Sequence, residues 1–197
     1  MATRSRTSAH SGTQAGSPPS RTGSLRRAHD LHRRGLLRDA EEAYLEVLGQ
    51  HPEDFDAQHM LGVLAAQTKR WKEAVAWFDR AVALRGNAAA VYNNRANALR
   101  NMERMAESLR DYDRAIALAP DYVEAIRNRG NLLRRQGRLD EALASYTRAV
   151  ELAPGDAVTY HAMGNAYAKM GRDADALRCF ERAIALRDDF ADAHNNL

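Results

Sequence analysis

The sequence of 197 residues contains a single cysteine and no long apolar run. One cysteine, Cys179, excludes an internal disulfide and any C-x-x-C metal pair. A membrane-spanning helix needs about 18 consecutive apolar residues, and no such run occurs. The first 23 residues also lack the apolar stretch of a secretory signal peptide. These absences predict a cytoplasmic protein in a reducing compartment, without a membrane partner.

Motifs of the common enzyme classes are missing as well. The chain has no G-x-x-x-x-G-K-[ST], no G-x-S-x-G and no H-E-x-x-H. Its seven histidines are scattered, and His29 and His32, which have helical spacing, have no further metal ligand near them in sequence. We therefore expect no enzymatic activity, no cofactor and no metal site.

Acidic residues are absent from residues 1–29, which carry five arginines. The rest of the chain holds 24 bases against 26 acids, so the alkaline pI of about 9.2 comes from this first segment. Phosphate binding needs a basic face on the folded part, and nucleic acid is therefore not expected as a partner. Residues 1–23 are rich in Ser, Thr, Gly, Pro and Arg, which predicts a disordered tail. A transit peptide and an acid-binding arm are the alternatives.

What the sequence does contain is a 34-residue period. Four positions of the period keep the same type of residue in every unit. One is proline, glycine or aspartate, two are small residues, and the fourth is aromatic. The aromatic residues are Tyr44, Phe78, Tyr112, Tyr146 and Phe180. The period defines five complete units and a partial sixth, at residues 21–54, 55–88, 89–122, 123–156, 157–190 and 191–197.

Each unit has the pattern of two helices joined by a turn. Counted from the first residue of a unit, positions 4, 7, 8 and 11 fall on one face of a first helix. Positions 20, 24, 27 and 28 fall on one face of a second helix. The small residue at position 8 lets the second helix approach closely, and the proline at position 32 ends that helix because it cannot donate a helical hydrogen bond.

These positions resemble the tetratricopeptide repeat, most closely in GNLLRRQGRLDEALASYTRAVELAP at residues 130–154. The resemblance covers residues 21–197 and implies an all-α fold, a right-handed superhelical solenoid of antiparallel helix pairs whose first helices line a concave groove. One pair cannot bury its apolar face alone, so stacking supplies the core. We divide the chain into a disordered tail, 1–23, and a repeat array, 24–197, whose degenerate first unit acts as a cap.

The third and fourth units carry Arg95 and Arg129 at position 7, where the family usually has an apolar residue. We expect the arginine stem to pack between repeats, with its head paired or in solvent. An arginine that reaches into the groove is the alternative.

Positions 2, 5, 6, 9, 12 and 13 of the first helices should face away from the core, and we call this surface the groove face. Asparagine is frequent there, although it costs about 0.5 kcal/mol relative to alanine in a helix. A carboxamide both donates and accepts, so a column of them can bond the backbone of an extended peptide. The alternative is that these asparagines bond within or between repeats. The predicted peptide-binding residues are Asn93, Asn94, Asn97, Arg100, Asn101, Arg127, Asn128, Asn131, Arg134, Arg135, His161, Asn165 and Lys169.

The asparagines at positions 6 and 9 also resemble the ladder of O-linked N-acetylglucosamine transferases, which grips the substrate backbone. The column is interrupted at Met60 and Ala162, and similar repeats occur in many bacterial tetratricopeptide proteins. We therefore expect a scaffold that binds a protein or peptide in its groove. The alternative is the substrate-recognition arm of a larger enzyme, a glycosyltransferase truncated at Leu197.

Two further expectations concern partners. Arginine and lysine at positions 5, 12 and 13 make the groove of units three to five basic, which favours an acidic peptide. Leu197 stands at position 7 of the sixth first helix, so the array stops within a helix. An apolar face left uncovered there would favour a homodimer through this end.

Overall fold

The computed structural model describes residues 20–187, and these residues form ten α-helices and no strand. The helices are α1 (Arg21–Arg33), α2 (Leu37–Gln50), α3 (Phe55–Gln67), α4 (Trp71–Leu84), α5 (Ala89–Asn101), α6 (Met105–Leu118), α7 (Val123–Arg135), α8 (Leu139–Leu152), α9 (Ala157–Lys169) and α10 (Asp173–Leu186). Each unit thus supplies one first helix and one second helix, which confirms the all-α repeat fold.

The helices stack in the order of the chain. The two helices of each unit pack together, and each second helix also packs on the first helix of the next unit. First helices of neighbouring units touch as well, from α3 through α5 and α7 to α9. The first helices therefore form a continuous row along the solenoid.

Helix α1 begins at Arg21, where the side chain of Ser20 caps it by accepting from the backbone N–H of Gly23. Residues 21–23 are consequently helical, so the array starts three residues before the boundary at 24 that we drew from composition. The rest of the tail 1–23 and the partial sixth unit 191–197 lie outside the described residues.

The core of each unit lies where position 8 meets the aromatic ring of position 24. A Cβ atom added to Gly62, Gly130 or Gly164 would lie 2.4–2.6 Å from the nearest carbon of Phe78, Tyr146 or Phe180, respectively. The predicted close approach is therefore confirmed.

The buried face of the first helix is wider than we expected. Positions 3 and 10 are also buried, as in Ala125 and Leu132, and both pack on the preceding unit. Ala125 belongs to one buried cluster with Tyr92 and Ala115, and Leu132 belongs to another with Ala96 and Tyr112. These two positions form the seam between units.

The arginines at position 7 are paired between helices, as expected. Arg95 donates from Nε and Nη2 to the two carboxylate oxygens of Asp111, both at 2.7 Å, and from Nη1 to Asp79 at 2.6 Å. Arg129 donates to Asp113 at 2.6 Å and to the hydroxyl of Ser145 at 2.8 Å. Neither arginine head reaches into the groove.

The turn inside each unit needs a left-handed residue at position 15. Glycine supplies it in units one, four and five, whereas Lys69 and Glu103 adopt φ values of 59° and 60° in units two and three. A side chain in this conformation costs about 1–2 kcal/mol. We expect Lys69→Gly to raise the free energy of unfolding by about 1 kcal/mol in urea denaturation, because the strain is removed. Gly137→Ala should lower it by a similar amount, and an unchanged midpoint for both variants would contradict this account.

Candidate functional site

The thirteen predicted peptide-binding residues lie on three adjacent first helices, α5, α7 and α9. Twelve of them are partly or fully exposed in the structure, and Asn93 is buried. The structure therefore brings the set together on one row of helices, although its members differ in what their side chains already bind.

The asparagines at position 9 are held by buried tyrosines. The hydroxyl of Tyr112 donates to Oδ1 of Asn97 at 2.6 Å, and that of Tyr146 donates to Oδ1 of Asn131 at 2.8 Å. Burial raises the pKa of Tyr112 to about 12, so the hydroxyl stays protonated and can donate at neutral pH. The carbonyl end of each carboxamide is thus occupied, and among the described residues Nδ2 of Asn97 and Asn131 has no acceptor.

The asparagine at position 9 of unit five is held differently. Phe180 replaces the tyrosine, and Nδ2 of Asn165 lies 3.2 Å from Nε2 of His161. The two residues, both predicted from the sequence, therefore contact each other within helix α9.

Asn93 differs from the expectation that position 5 faces the groove. It is fully buried and donates from Nδ2 to Glu124 at 3.1 Å and to the hydroxyl of Tyr122 at 3.3 Å. Its Oδ1 accepts from Asn128 at 3.1 Å. Because its side chain links units three and four, Asn93 serves the seam rather than a ligand.

Two other asparagines also bond inside the array. Nδ2 of Asn94 lies 3.1 Å from Nε2 of His59 in the preceding unit. Asn101 donates to the backbone carbonyl of Asn97 at 2.8 Å. The alternative reading, in which asparagines bond within and between repeats, thus holds for part of the column.

The cations of the groove face fall into two groups. Arg127 pairs with Asp156 at 2.6 Å, and Arg135 pairs with Glu103, so these two charges are compensated. Burial opposes ionisation of Asp156, but hydrogen bonds from Thr159 and Arg127 outweigh it and lower its pKa.

The second group of cations remains uncompensated. Within residues 20–187, Arg100, Arg134 and Lys169 form no salt bridge, and Nε of Arg134 is buried without a hydrogen-bond acceptor. These three side chains give the groove face its positive character.

Sequence reasoning missed a cavity at the other end of the row of first helices. It measures about 640 Å³ and is lined by residues of α1, α2 and α3, among them His29, His32, Tyr44, Met60 and Val63. The sequence did indicate this site, since four of these five residues occupy groove-face positions 6, 9 and 12 of units one and two. Because unit one departs from the repeat pattern, its sequence predicted a cap rather than a binding site.

Two general features of the described part of the chain bear on function. No helix between residues 20 and 187 is long and apolar enough to cross a membrane. The same residues contain no group of three or more histidine, cysteine, aspartate or glutamate side chains placed to hold a metal ion.

Comparison with known structures shows the same fold. MamA superposes with a TM-score of 0.76 at 23% identity, over 87% of this chain and 93% of MamA. YrrB, described as a tetratricopeptide repeat protein with an unusual peptide-binding site, gives 0.73 at 24% identity, over 88% and 89%. The Cut9–Hcn1 hetero-tetramer of the APC/C gives 0.79 at 17% identity, over 90% of this chain and 35% of the other. No curated protein matches the sequence significantly.

Family models described as tetratricopeptide repeats match residues 25–89, 87–155 and 121–189. The matches cover most of the chain and follow the 34-residue register without a break. Proteins with this repeat typically act as protein-interaction scaffolds, which favours the scaffold over the glycosyltransferase arm. The chain belongs to the tetratricopeptide repeat family.

Proposed function

We propose that this protein is a non-enzymatic scaffold that binds an extended, acidic peptide segment on the groove face of units three to five. The observation that supports the proposal best is the pair of tyrosine-held carboxamides, Asn97 and Asn131. Each presents Nδ2 from the same position of successive units. A cytoplasmic location and self-association into a homodimer belong to the same proposal.

The carboxamides would recognise backbone rather than side chains. An extended peptide exposes carbonyl oxygens at regular intervals, and each Nδ2 group can donate to one of them. One such hydrogen bond contributes about 0.5–1.5 kcal/mol, so useful affinity requires several units together. This requirement agrees with a site that repeats along the solenoid.

The uncompensated cations would supply the preference for acidic segments. Arg100, Arg134 and Lys169 lie on α5, α7 and α9, so a carboxylate would meet a positive charge in each of three units. Such complementarity raises the association rate and selects against basic segments. The descriptions of YrrB and of the Cut9–Hcn1 complex, one with a peptide-binding site and one with a protein partner, agree with a peptide or protein ligand.

The experiment must separate the loss of an amide donor from damage to the core. Asn97→Ala alone would leave the buried hydroxyl of Tyr112 without its acceptor. Unit two offers a better pattern, because it carries Val63 at position 9 opposite Phe78 at position 24. The paired substitution Asn97→Val with Tyr112→Phe therefore removes the donor and the hydroxyl together.

We expect the quadruple variant, Asn97→Val and Tyr112→Phe with Asn131→Val and Tyr146→Phe, to weaken peptide binding by about 30-fold. The probe is a fluorescent twelve-residue peptide selected on the whole chain from a displayed random library, measured by fluorescence anisotropy. The control variant, Tyr112→Phe with Tyr146→Phe, keeps both carboxamides and should bind within about threefold of the original chain. Failure to select any peptide, or equal affinity for the quadruple variant, would count against the proposal.

A further inference from the structure

The cavity of about 640 Å³ lies at the N-terminal end of the groove face, in units one and two rather than in units three to five. Its volume is within the range of about 300–1,000 Å³ that is usual for ligand sites. Met60 and Val63 give it an apolar wall, and the rings of His29, His32 and Tyr44 contribute further surface. The two histidine rings lie 5.7 and 6.1 Å from the ring of Tyr44, between centroids.

Two buried polar atoms of this cavity have no hydrogen-bond partner among residues 20–187, the hydroxyl of Tyr44 and Nδ1 of His32. Buried polar groups in proteins are nearly always bonded, so both atoms call for an explanation. The equivalent tyrosines of units three and four donate to Asn97 and Asn131. Unit one has His29 in place of that asparagine, and Tyr44, which is fully buried, is left without the acceptor.

The two atoms have complementary hydrogen-bonding roles. Burial raises the pKa of Tyr44 to about 12, so its hydroxyl is a donor at neutral pH. Nε2 of His32 lies 2.8 Å from Oε1 of Gln67 and donates to it, which leaves Nδ1 of the neutral ring as an acceptor. A ligand group that both accepts and donates would satisfy the two together. A phenolic hydroxyl does so with one oxygen atom, and its ring suits the aromatic and thioether walls.

The charges around the cavity are mainly positive. Arg26 and Arg33 lie on its lining, and the carboxylate of Asp30 is already paired with Arg33. Arg26 forms no salt bridge with any residue between 20 and 187. Acidic residues on either side of an entering side chain would therefore be attracted.

We propose that this cavity binds the side chain of a tyrosine that lies within an acidic peptide segment. The ring packs beside His29 and Met60, and the hydroxyl bonds to Tyr44 and His32. The inference rests on the proposed function in one respect, since the cavity is the N-terminal end of the same groove face. It depends on different residues, and it can fail or succeed separately.

The test uses three short probes on the whole chain, acetyl-Glu-Tyr-Glu-amide, acetyl-Glu-Phe-Glu-amide and acetyl-Lys-Tyr-Lys-amide. Binding is followed by NMR titration, with the histidine side-chain and α1 amide signals as reporters. We expect the Glu-Tyr-Glu probe to bind about tenfold more tightly than Glu-Phe-Glu, because its hydroxyl forms the two hydrogen bonds to Tyr44 and His32. The Lys-Tyr-Lys probe should bind more weakly than Glu-Tyr-Glu.

The decisive variant is Tyr44→Phe, since phenylalanine already occupies this position in units two and five as Phe78 and Phe180. In this variant the preference for tyrosine over phenylalanine should fall, because the hydroxyl of the probe keeps only its hydrogen bond to His32. The matched control Tyr112→Phe should retain it. Equal binding of both glutamate probes to the original chain, or an unchanged preference in Tyr44→Phe, would overturn the proposal. The quadruple groove variant should bind Glu-Tyr-Glu normally, so failure of this site is distinguishable from failure of the peptide groove.

Discussion

Arg95→Met should lower the free energy of unfolding by about 3–5 kcal/mol, because it leaves the buried carboxylate of Asp111 without its charged partner. Asp111 is only 7% exposed and receives two hydrogen bonds from Arg95. Methionine fits the site sterically, since Met163 occupies the same position in unit five. The loss therefore comes from the unpaired charge, and urea denaturation followed by circular dichroism measures it.

A second substitution distinguishes charge from packing. Asp111→Ala added to Arg95→Met removes the stranded carboxylate and should restore the free energy of unfolding to within about 1 kcal/mol of the original. Position 23 is alanine in unit one, as Ala43, so the smaller side chain has a precedent. If the double variant is no more stable than the single one, the arginine acts through its stem and not through its charge.

Arg129→Met is the matched control for the ion pair. The carboxylate partner of Arg129 is Asp113, whose side chain is half exposed and regains water when the pair is lost. We expect a loss of about 1 kcal/mol or less. Because units of a solenoid can unfold separately, hydrogen exchange of α5 and α6 should accompany the denaturation curves.

Gly130→Val should also be severely destabilising, by about 3 kcal/mol or more, because the helices of unit four cannot separate to admit the side chain. An added Cβ would lie 2.6 Å from Cε1 and 2.8 Å from Cδ1 of Tyr146. That ring is fully buried, and its hydroxyl is tied to Asn131. The substitution therefore disturbs the core and the groove face at once, and thermal unfolding reports the first effect.

The size of the added group should set the cost. Units one and three carry Ala28 and Ala96 against a tyrosine, so Gly130→Ala should cost much less than Gly130→Val. Gly49 is the control, because an added Cβ there meets nothing within 4 Å. Gly49→Ala should stabilise the chain by up to about 1 kcal/mol, the usual gain within a helix. Equal losses for Gly130→Ala and Gly130→Val would show that the size of the added group does not set the cost.

The sequence predicted the helix pairs well, because the 34-residue period reports the packing inside a unit. It predicted the contacts between neighbouring units poorly. Ala125 and Leu132 stand at positions that a single amphipathic face does not include, and they are buried only because the preceding unit covers them. Contacts between units leave little trace in the periodicity of one helix.

The site was predicted in part for a similar reason. Asn93 and Asn97 lie one turn apart and are identical in sequence terms, yet one is buried in the seam and the other is held at the groove face. Their difference depends on partners in distant parts of the chain, Tyr122 and Tyr112. The cavity beside Tyr44 was missed because it arises where a unit departs from the repeat pattern.

The bonds of Asn93 have a consequence for how such an array can evolve. Removing residues 123–156 would preserve the 34-residue length rule, yet it would bring Asn93 opposite Ala162 and Val158 instead of Asn128 and Glu124. A buried carboxamide would then face two aliphatic neighbours. The units are therefore not interchangeable, because hydrogen bonds specific to one pair of neighbours determine their order. After duplication or deletion of a unit, further substitutions must restore polar partners where the new neighbours meet.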